Sequence, residues 1–375
     1  MLDRNDYPTL ADVVYLNQAS LGLIGQPALE AMKAFLEGVG RHGNTYMSDD
    51  DEAAFLDALR SKAGQVLRAE QEQIAILSSA SELLGQIPLI LPRGTKTRVL
   101  AVSTDFPAVT RPWLRLEERG DCRVDFVSDN PERDLTSELI DHLDGETLVV
   151  TVGSVQYATG TLVDIPRLRL ATAQAGARLV VDATQEAGAS NRSMGSWGAD
   201  VVVTSGYKWL GGHGGVAIGV IGGELLEETP ALPGWMSAPE PFEFDATRLP
   251  LAPGGRRYTQ STISYASAVG LAAAIGQLLV AGLDDIERAA AHLARHVVDE
   301  LRPHGWHPLR ELDDRAASGH IISLTRDGVE ITDVVQRLRR ANIVVGGRGG
   351  RLRVSLASYN NQEDLAALVR ELARL

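Results

Sequence analysis

Seven short apolar runs constrain this chain more than any other feature. They cover residues 74–77, 99–102, 124–127, 148–152, 179–181, 201–204 and 216–221. Three are apolar at every position, the other four are broken by a single Asp, Thr or Gly, and amphipathic stretches such as 107–118 and 166–175 separate several of them. A strand that is apolar on both faces must be covered on both faces. The runs therefore predict an α/β fold with a mainly parallel seven-stranded sheet packed between helices. The rhythm breaks between Pro230 and Gly255, where Pro, Gly and Glu dominate and a long loop is expected. Helical periodicity returns over 265–280 and 286–301. The tail reads strand 320–325, helix 331–340, strand 352–355 and helix 362–375, a smaller α+β unit. The expected division is an N-terminal arm 1–15, a large α/β domain 16–255 and a small C-terminal domain 256–375 that the N-terminal segment helps to build.

In open α/β sheets ligands bind beyond the carboxyl ends of the strands, so the residues that follow each run deserve reading. Asp182 follows the run 179–181, and a carboxylate there is costly unless something positive faces it. Lys208 lies about one strand–helix–strand unit later, in TSGYKWLGGHGG, between two apolar runs. A lone lysine there is ordinarily a snorkelling side chain, and a lone aspartate ordinarily caps a helix. Ser78, Ser79 and Ser81 open a helix after the run 74–77, and free N–H groups at such a start bind phosphate. Phe106 follows the run 99–102 and offers an aromatic face. A buried amine, an acid, an anion-binding helix start and an aromatic suit pyridoxal phosphate. The amine condenses with the aldehyde, the acid keeps the pyridine nitrogen protonated, the helix start holds the phosphate and the aromatic stacks on the ring.

The alternatives are weaker. The GGHGG run lacks both G-x-G-x-x-G and a Walker lysine, so it is not read as a nucleotide loop. His292 and His296 lack the glutamate of H-E-x-x-H, and a single cysteine, Cys122, leaves no Cys-rich zinc site. A net charge of −13, from 36 basic and 49 acidic residues, argues against nucleic acid or anionic membrane as the main partner. The start, MLDRNDYPTLADVV, places charges where a signal peptide needs an apolar core, and a cytoplasmic protein is expected.

The segments D-A-T-Q-E-A-G and A-D-V-V-V-T-S-G-Y-K-W-L-G-G-H-G-G resemble the signature of class V aminotransferase-like enzymes of pyridoxal-phosphate fold type I. This group holds cysteine desulfurases, kynureninases, aminotransferases, epimerase-like proteins and C–S lyases. The resemblance runs from Y-L-N-Q-A-S-L-G near the start to R-L-R-V-S-L-A-S-Y-N-N-Q-E-D near the end. It implies that Lys208 is the Schiff-base lysine, that Asp182 pairs with the pyridine nitrogen and that Gln185 bonds near the ring hydroxyl. It further implies that Ser205, Ser81 and the backbone of Ala80 hold the phosphate, and that Phe106 stacks on the ring. Arg353 is implied as the substrate-carboxylate anchor, with Asn17 and Gln156 on the substrate side. Thr262, acting from a neighbouring subunit, is implied to complete the phosphate site of a homodimer. The chain departs from the pattern at Ser261, where a Gly is frequent, and at His213, where a Pro is frequent; no role is assigned to His213.

The resemblance implies an amino-acid substrate, with Lys208 as the base at Cα. Desulfurases of this group use a cysteine late in the chain, where this sequence has none, so a desulfurase is not expected. A β-eliminating C–S lyase on a cysteine S-conjugate is the leading expectation. An aminotransferase, a decarboxylating or oxidative variant and an epimerase-like enzyme are the alternatives.

Overall fold

The computed structural model describes residues 2–91 and 94–375. Its strands are β1 (Val14–Tyr15), β2 (Ile74–Leu77), β3 (Arg98–Val102), β4 (Arg123–Val127), β5 (Thr147–Gly153), β6 (Arg178–Asp182), β7 (Val201–Ser205) and β8 (Ala217–Ile221). Those of the tail are β9 (His307–Pro308), β10 (Ile321–Thr325), β11 (Ile343–Val344), β12 (Gly346–Arg348) and β13 (Arg351–Ser355). The seven apolar runs become one seven-stranded sheet of order β2-β8-β7-β6-β5-β3-β4. The pairings from β7 to β4 are parallel, and β8 runs antiparallel to both β7 and β2. Apolar residues of both faces are buried: Val102, Val152 and Val181 pack in one core, Val99, Val149 and Val180 in another across the sheet. Burial on both faces is why these strands do not alternate in sequence.

A second sheet, β12-β13-β10-β9, is antiparallel and backs a separate core around Trp306, Val354 and Leu365. The N-terminal segment joins it: β1 pairs parallel with β11, and Leu16 lies in this core. The expected boundary at residue 255 needs correction. The helix Tyr265–Ala281 buries Ala268, Leu271, Ile275 and Leu278 in the core of the large sheet, together with Leu283 and Ile286 of the helix Leu283–Leu301. The core of the small sheet begins only at Ala290, so packing moves the boundary into that long helix. Residues 230–255 form irregular chain with short 3-10 turns, as their composition predicts. Among the described residues no single helix is long and apolar enough to cross a membrane.

Candidate active site

Parallel strands β5, β6 and β7 end at one edge of the sheet, where the register sets Gly153 beside Asp182. That edge, with the loop after β3 and the start of the helix Ala80–Ile90, encloses a cavity of about 120 Å³. Ser81, Phe106, Asp182, Ser205, Tyr207 and Lys208 all line it. Lys208 follows β7 in a tight loop closed by Gly206 N–H on Val216 O and Gly212 N–H on Gly206 O. The N-terminal segment clamps this loop from outside: Gln18 Nε2 donates to Lys208 O at 2.8 Å, and Gly22 N–H to Tyr207 O at 2.9 Å.

The Lys208 side chain is only 6% exposed, and its Nζ has no hydrogen-bond acceptor among the described residues. It lies 5.3 Å from the centroid of the Phe106 ring and 5.8 Å from that of Tyr207. Burial lowers its pKa to about 8; Asp182 opposes that shift, and Arg353 and Arg348 reinforce it. Asp182 is buried at the end of β6 and takes its hydrogen bonds from Thr184, whose backbone N–H lies 2.9 Å away. Burial raises its pKa, against the pull of Thr184 and Lys208. The carboxylate therefore faces the cavity with capacity to accept another donor. Ser79 caps the helix start by accepting from Glu82 N–H, and Ser79, Ala80 and Ser81 border the cavity at the positive end of the helix.

Arg353, on β13, is 1% exposed. Its Nη1 donates to Tyr157 O at 2.6 Å, while Nη2 reaches Ser20 Oγ and, at 3.4 Å, Asn17 Oδ1. Nε has no partner, and no carboxylate pairs with the guanidinium among the described residues. Burial lowers its pKa to about 10, helped by Arg348. A buried fork lacking a carboxylate is shaped to receive one.

The other assigned residues take varied places. Gln185 borders the cavity, but its amide is engaged at both ends, donating to Ala19 O at 3.0 Å and accepting from Trp209 Nε1 at 2.9 Å. Gln156 is buried behind the wall, with Nε2 donating to Asp105 Oδ2 at 3.1 Å and Oε1 lacking a partner. Phe106 lines the cavity while remaining 41% exposed, with its ring edge-on to Tyr157. Thr262 is exposed in the loop before the helix Tyr265–Ala281, and it does not line its own chain's cavity. His213 is exposed and bonds the carbonyl of Gly214 through Nδ1.

Sequence reading passed over Asp105, which precedes the aromatic it singled out. Its carboxylate accepts from Gly153 N–H at 2.6 Å, Phe106 N–H at 2.7 Å and Gln156 Nε2. Burial pushes its pKa up to about 6, against these hydrogen bonds, with Asp182 adding to the rise. The signal was a charged residue at the mouth of an apolar strand, the same one that marked Asp182. His320, also passed over, is buried against Trp209 and sits 2.6 Å from Gln185 O; burial lowers its pKa to about 4.

A family model described as Aminotransferase class-V matches residues 14–368. The uncharacterized aminotransferase YcbU of Bacillus subtilis is 23% identical over 374 residues, covering 99% of this chain and 96% of that protein. A kynureninase of Bacillus mycoides is 24% identical over 382 residues, covering 96% of this chain and 88% of the relative. Among solved structures, the apo cysteine desulfurase from Thermococcus onnurineus NA1 shares the fold with a TM-score of 0.86 and 23% identity, over 99% of this chain and 96% of that one.

Proposed function

The chain belongs to the aminotransferase class-V family, whose members are pyridoxal-phosphate enzymes, and we propose that it is a β-eliminating C–S lyase acting on a cysteine S-conjugate. One observation carries the reading: among the described residues, a buried amine without an acceptor opens into the same cavity as a buried carboxylate bonded only by Thr184. Those two groups fit the aldehyde and the pyridine nitrogen of the cofactor. Lys208 and Asp182 would hold them, the helix start at Ala80 and Ser81 with Ser205 would hold the phosphate, and Phe106 and Gln185 would flank the ring. When bound, pyridoxal phosphate supplies an electron sink that lets a bond at the substrate Cα break.

The side chains of this chain do the rest. Arg353 anchors the substrate carboxylate and thereby sets Cα relative to Lys208. The Lys208 amine, with a pKa lowered to about 8, is the base that takes the Cα proton near neutral pH. Burial of Lys208 keeps bulk water from that proton.

The fate of sulfur turns on Cys122. It precedes β4, with Sγ 3.5 Å from Trp113 O, at the amino edge of the sheet. Five-residue strands place that edge about 16 Å from the carboxyl edge where the cavity lies. No other cysteine exists in the sequence to receive sulfur, so sulfur leaves with its own substituent as a thiol. Kinship of fold with a desulfurase gives the exclusion of desulfuration no support; the exclusion rests on Cys122 alone. Thr262 is exposed and does not line its own chain's cavity, so the phosphate role assigned to it requires a second copy of the chain in a homodimer.

The test is direct. Incubation with pyridoxal phosphate is expected to give a Schiff-base absorption band that Lys208→Ala lacks. The loaded enzyme, given an S-alkyl cysteine, is expected to release pyruvate, ammonia and thiol in equal amounts. Accumulating pyridoxamine phosphate would make it an aminotransferase, and alanine with persulfide formed from free cysteine offered in its place would make it a desulfurase. No band at all would remove the cofactor reading.

A further inference from the structure

Three guanidiniums share one face of the hairpin formed by β12 and β13. The register sets Arg348 opposite Arg351, and Gly346 opposite Arg353. Residues opposite one another in an antiparallel pair point to the same side, and so do alternate residues of one strand. Arg348, Arg351 and Arg353 therefore project together. Arg348 Nη2 lies 3.4 Å from Ser20 Oγ, the same oxygen that Arg353 Nη2 bonds. The two guanidiniums meet at one hydroxyl, beside the cavity that holds Lys208.

Like charges directly across a strand pair repel. Acidic residues outnumber basic ones by 49 to 36, so carboxylate partners are not scarce. Yet among the described residues none of the three arginines forms an ion pair. Among the described residues Arg348 otherwise bonds only Gly347 O, and Arg351 only Gly349 O. The field of this group reaches the reaction centre, because Arg348 depresses the pKa values of both Lys208 and Arg353. Such a cluster is retained at a cost that an arriving anion removes.

Arg353 alone accommodates one carboxylate. Arg348 lies outside it and is exposed to solvent. We propose that Arg348 is a specificity-determining residue that takes a second carboxylate, so that the substrate is an amino acid or conjugate with an anionic far end. This rests on the reading of Arg353 as the anchor of the α-carboxylate. The small Gly346 beside Arg353 permits the arrangement: a Cβ there would lie 3.1 Å from Asn17 Oδ1 and 3.3 Å from Arg353 Nε.

Calorimetric titration of the loaded enzyme with glutarate and with its monomethyl ester separates the two carboxylates without relying on turnover. Glutarate is expected to bind about tenfold more tightly or better, the range of a charge-assisted hydrogen bond. Arg348→Gln is expected to bring glutarate to the level of the ester without lowering the melting temperature, since the side chain is exposed and its removal relieves the repulsion from Arg351. Equal affinities in the wild-type protein would overturn the second subsite, and a preference that survives Arg348→Gln would overturn Arg348 as its holder. Arg353→Gln checks the premise separately: it is expected to weaken both ligands. Unchanged binding of the ester in that variant would remove the anchor, and the proposal with it, whatever Arg348 does.

Discussion

Lys208 works through its environment. Its amine is a nucleophile and a base only when neutral, and burial with two arginines nearby lowers its pKa to about 8. Capture of pyridoxal phosphate by the cofactor-free protein is therefore expected to slow about tenfold per pH unit below that value and to level off above it. Stopped-flow absorbance across pH measures this; a midpoint in the ordinary lysine range would show that the shift is absent. Asp105 titrates in the opposite sense. Its folded pKa, near 6, lies above the ordinary 3.8, so folding favours the protonated form. That stabilisation is complete below the ordinary value and disappears as pH rises through 6. The cofactor-free protein is expected to lose roughly 2–3 kcal/mol from this group between about pH 4 and pH 7, read by urea unfolding. Asp105→Asn should flatten that slope. At pH 4 it should also cost about 1–3 kcal/mol, because an amide N–H would then face the N–H of Gly153 or Phe106, and that cost should shrink toward pH 7 as the wild-type protein loses its own stabilisation.

At the scale of elements, the site is made where chain segments distant in sequence touch. The N-terminal segment braces the lysine loop through Gln18 and Gly22. Gly22 allows that approach: a Cβ there would lie 2.3 Å from Lys208 O and 2.8 Å from Gln18 Nε2. A backbone oxygen within a tight loop cannot retreat, so Gly22→Ala is expected to cost about 2–4 kcal/mol in urea unfolding and to reduce the fraction of protein that binds pyridoxal phosphate. If stability and loading both match the wild-type protein, the segment does not brace the loop. The helix Ala80–Ile90 shows local coding by contrast. Its cap, Ser79, and the exposed serines around it were legible as a helix start, because capping is settled within four residues.

At the scale of the molecule, two sheets with separate cores are tied by the helix Leu283–Leu301 and by an N-terminal segment that crosses from one to the other. Thr262 lies away from its own cavity, so a role for it requires a second copy of the chain. Mixing and refolding inactive Lys208→Ala and Thr262→Ala subunits is expected to restore activity, because the hybrid contains one site with both residues intact. Activity that stays absent in verified hybrids would show that Thr262 does not act across subunits. Much of this architecture was legible in the sequence. The strands β2 to β8, β10 and β13, the helices Ile331–Arg340 and Gln362–Leu372, and the positions of Lys208 and Asp182 depend on local apolar pattern and on residue type at strand ends. The very short strands β1, β9 and β11 were not legible, since two residues carry no periodicity and only long-range pairing defines them. The helix Tyr265–Ala281 was assigned to the wrong core because its apolar face does not name the sheet it covers. The sequence by itself determined the strands of the large sheet and the main strands and helices of the tail, and which strand ends carry an amine, an acid and hydroxyls. Only the tertiary structure decided that Asp105 lines the cavity while bonding Gly153 and Gln156, and that Arg348 and Arg353 converge on Ser20. Those meetings depend on strand register and on contacts between residues hundreds of positions apart, which no local pattern encodes.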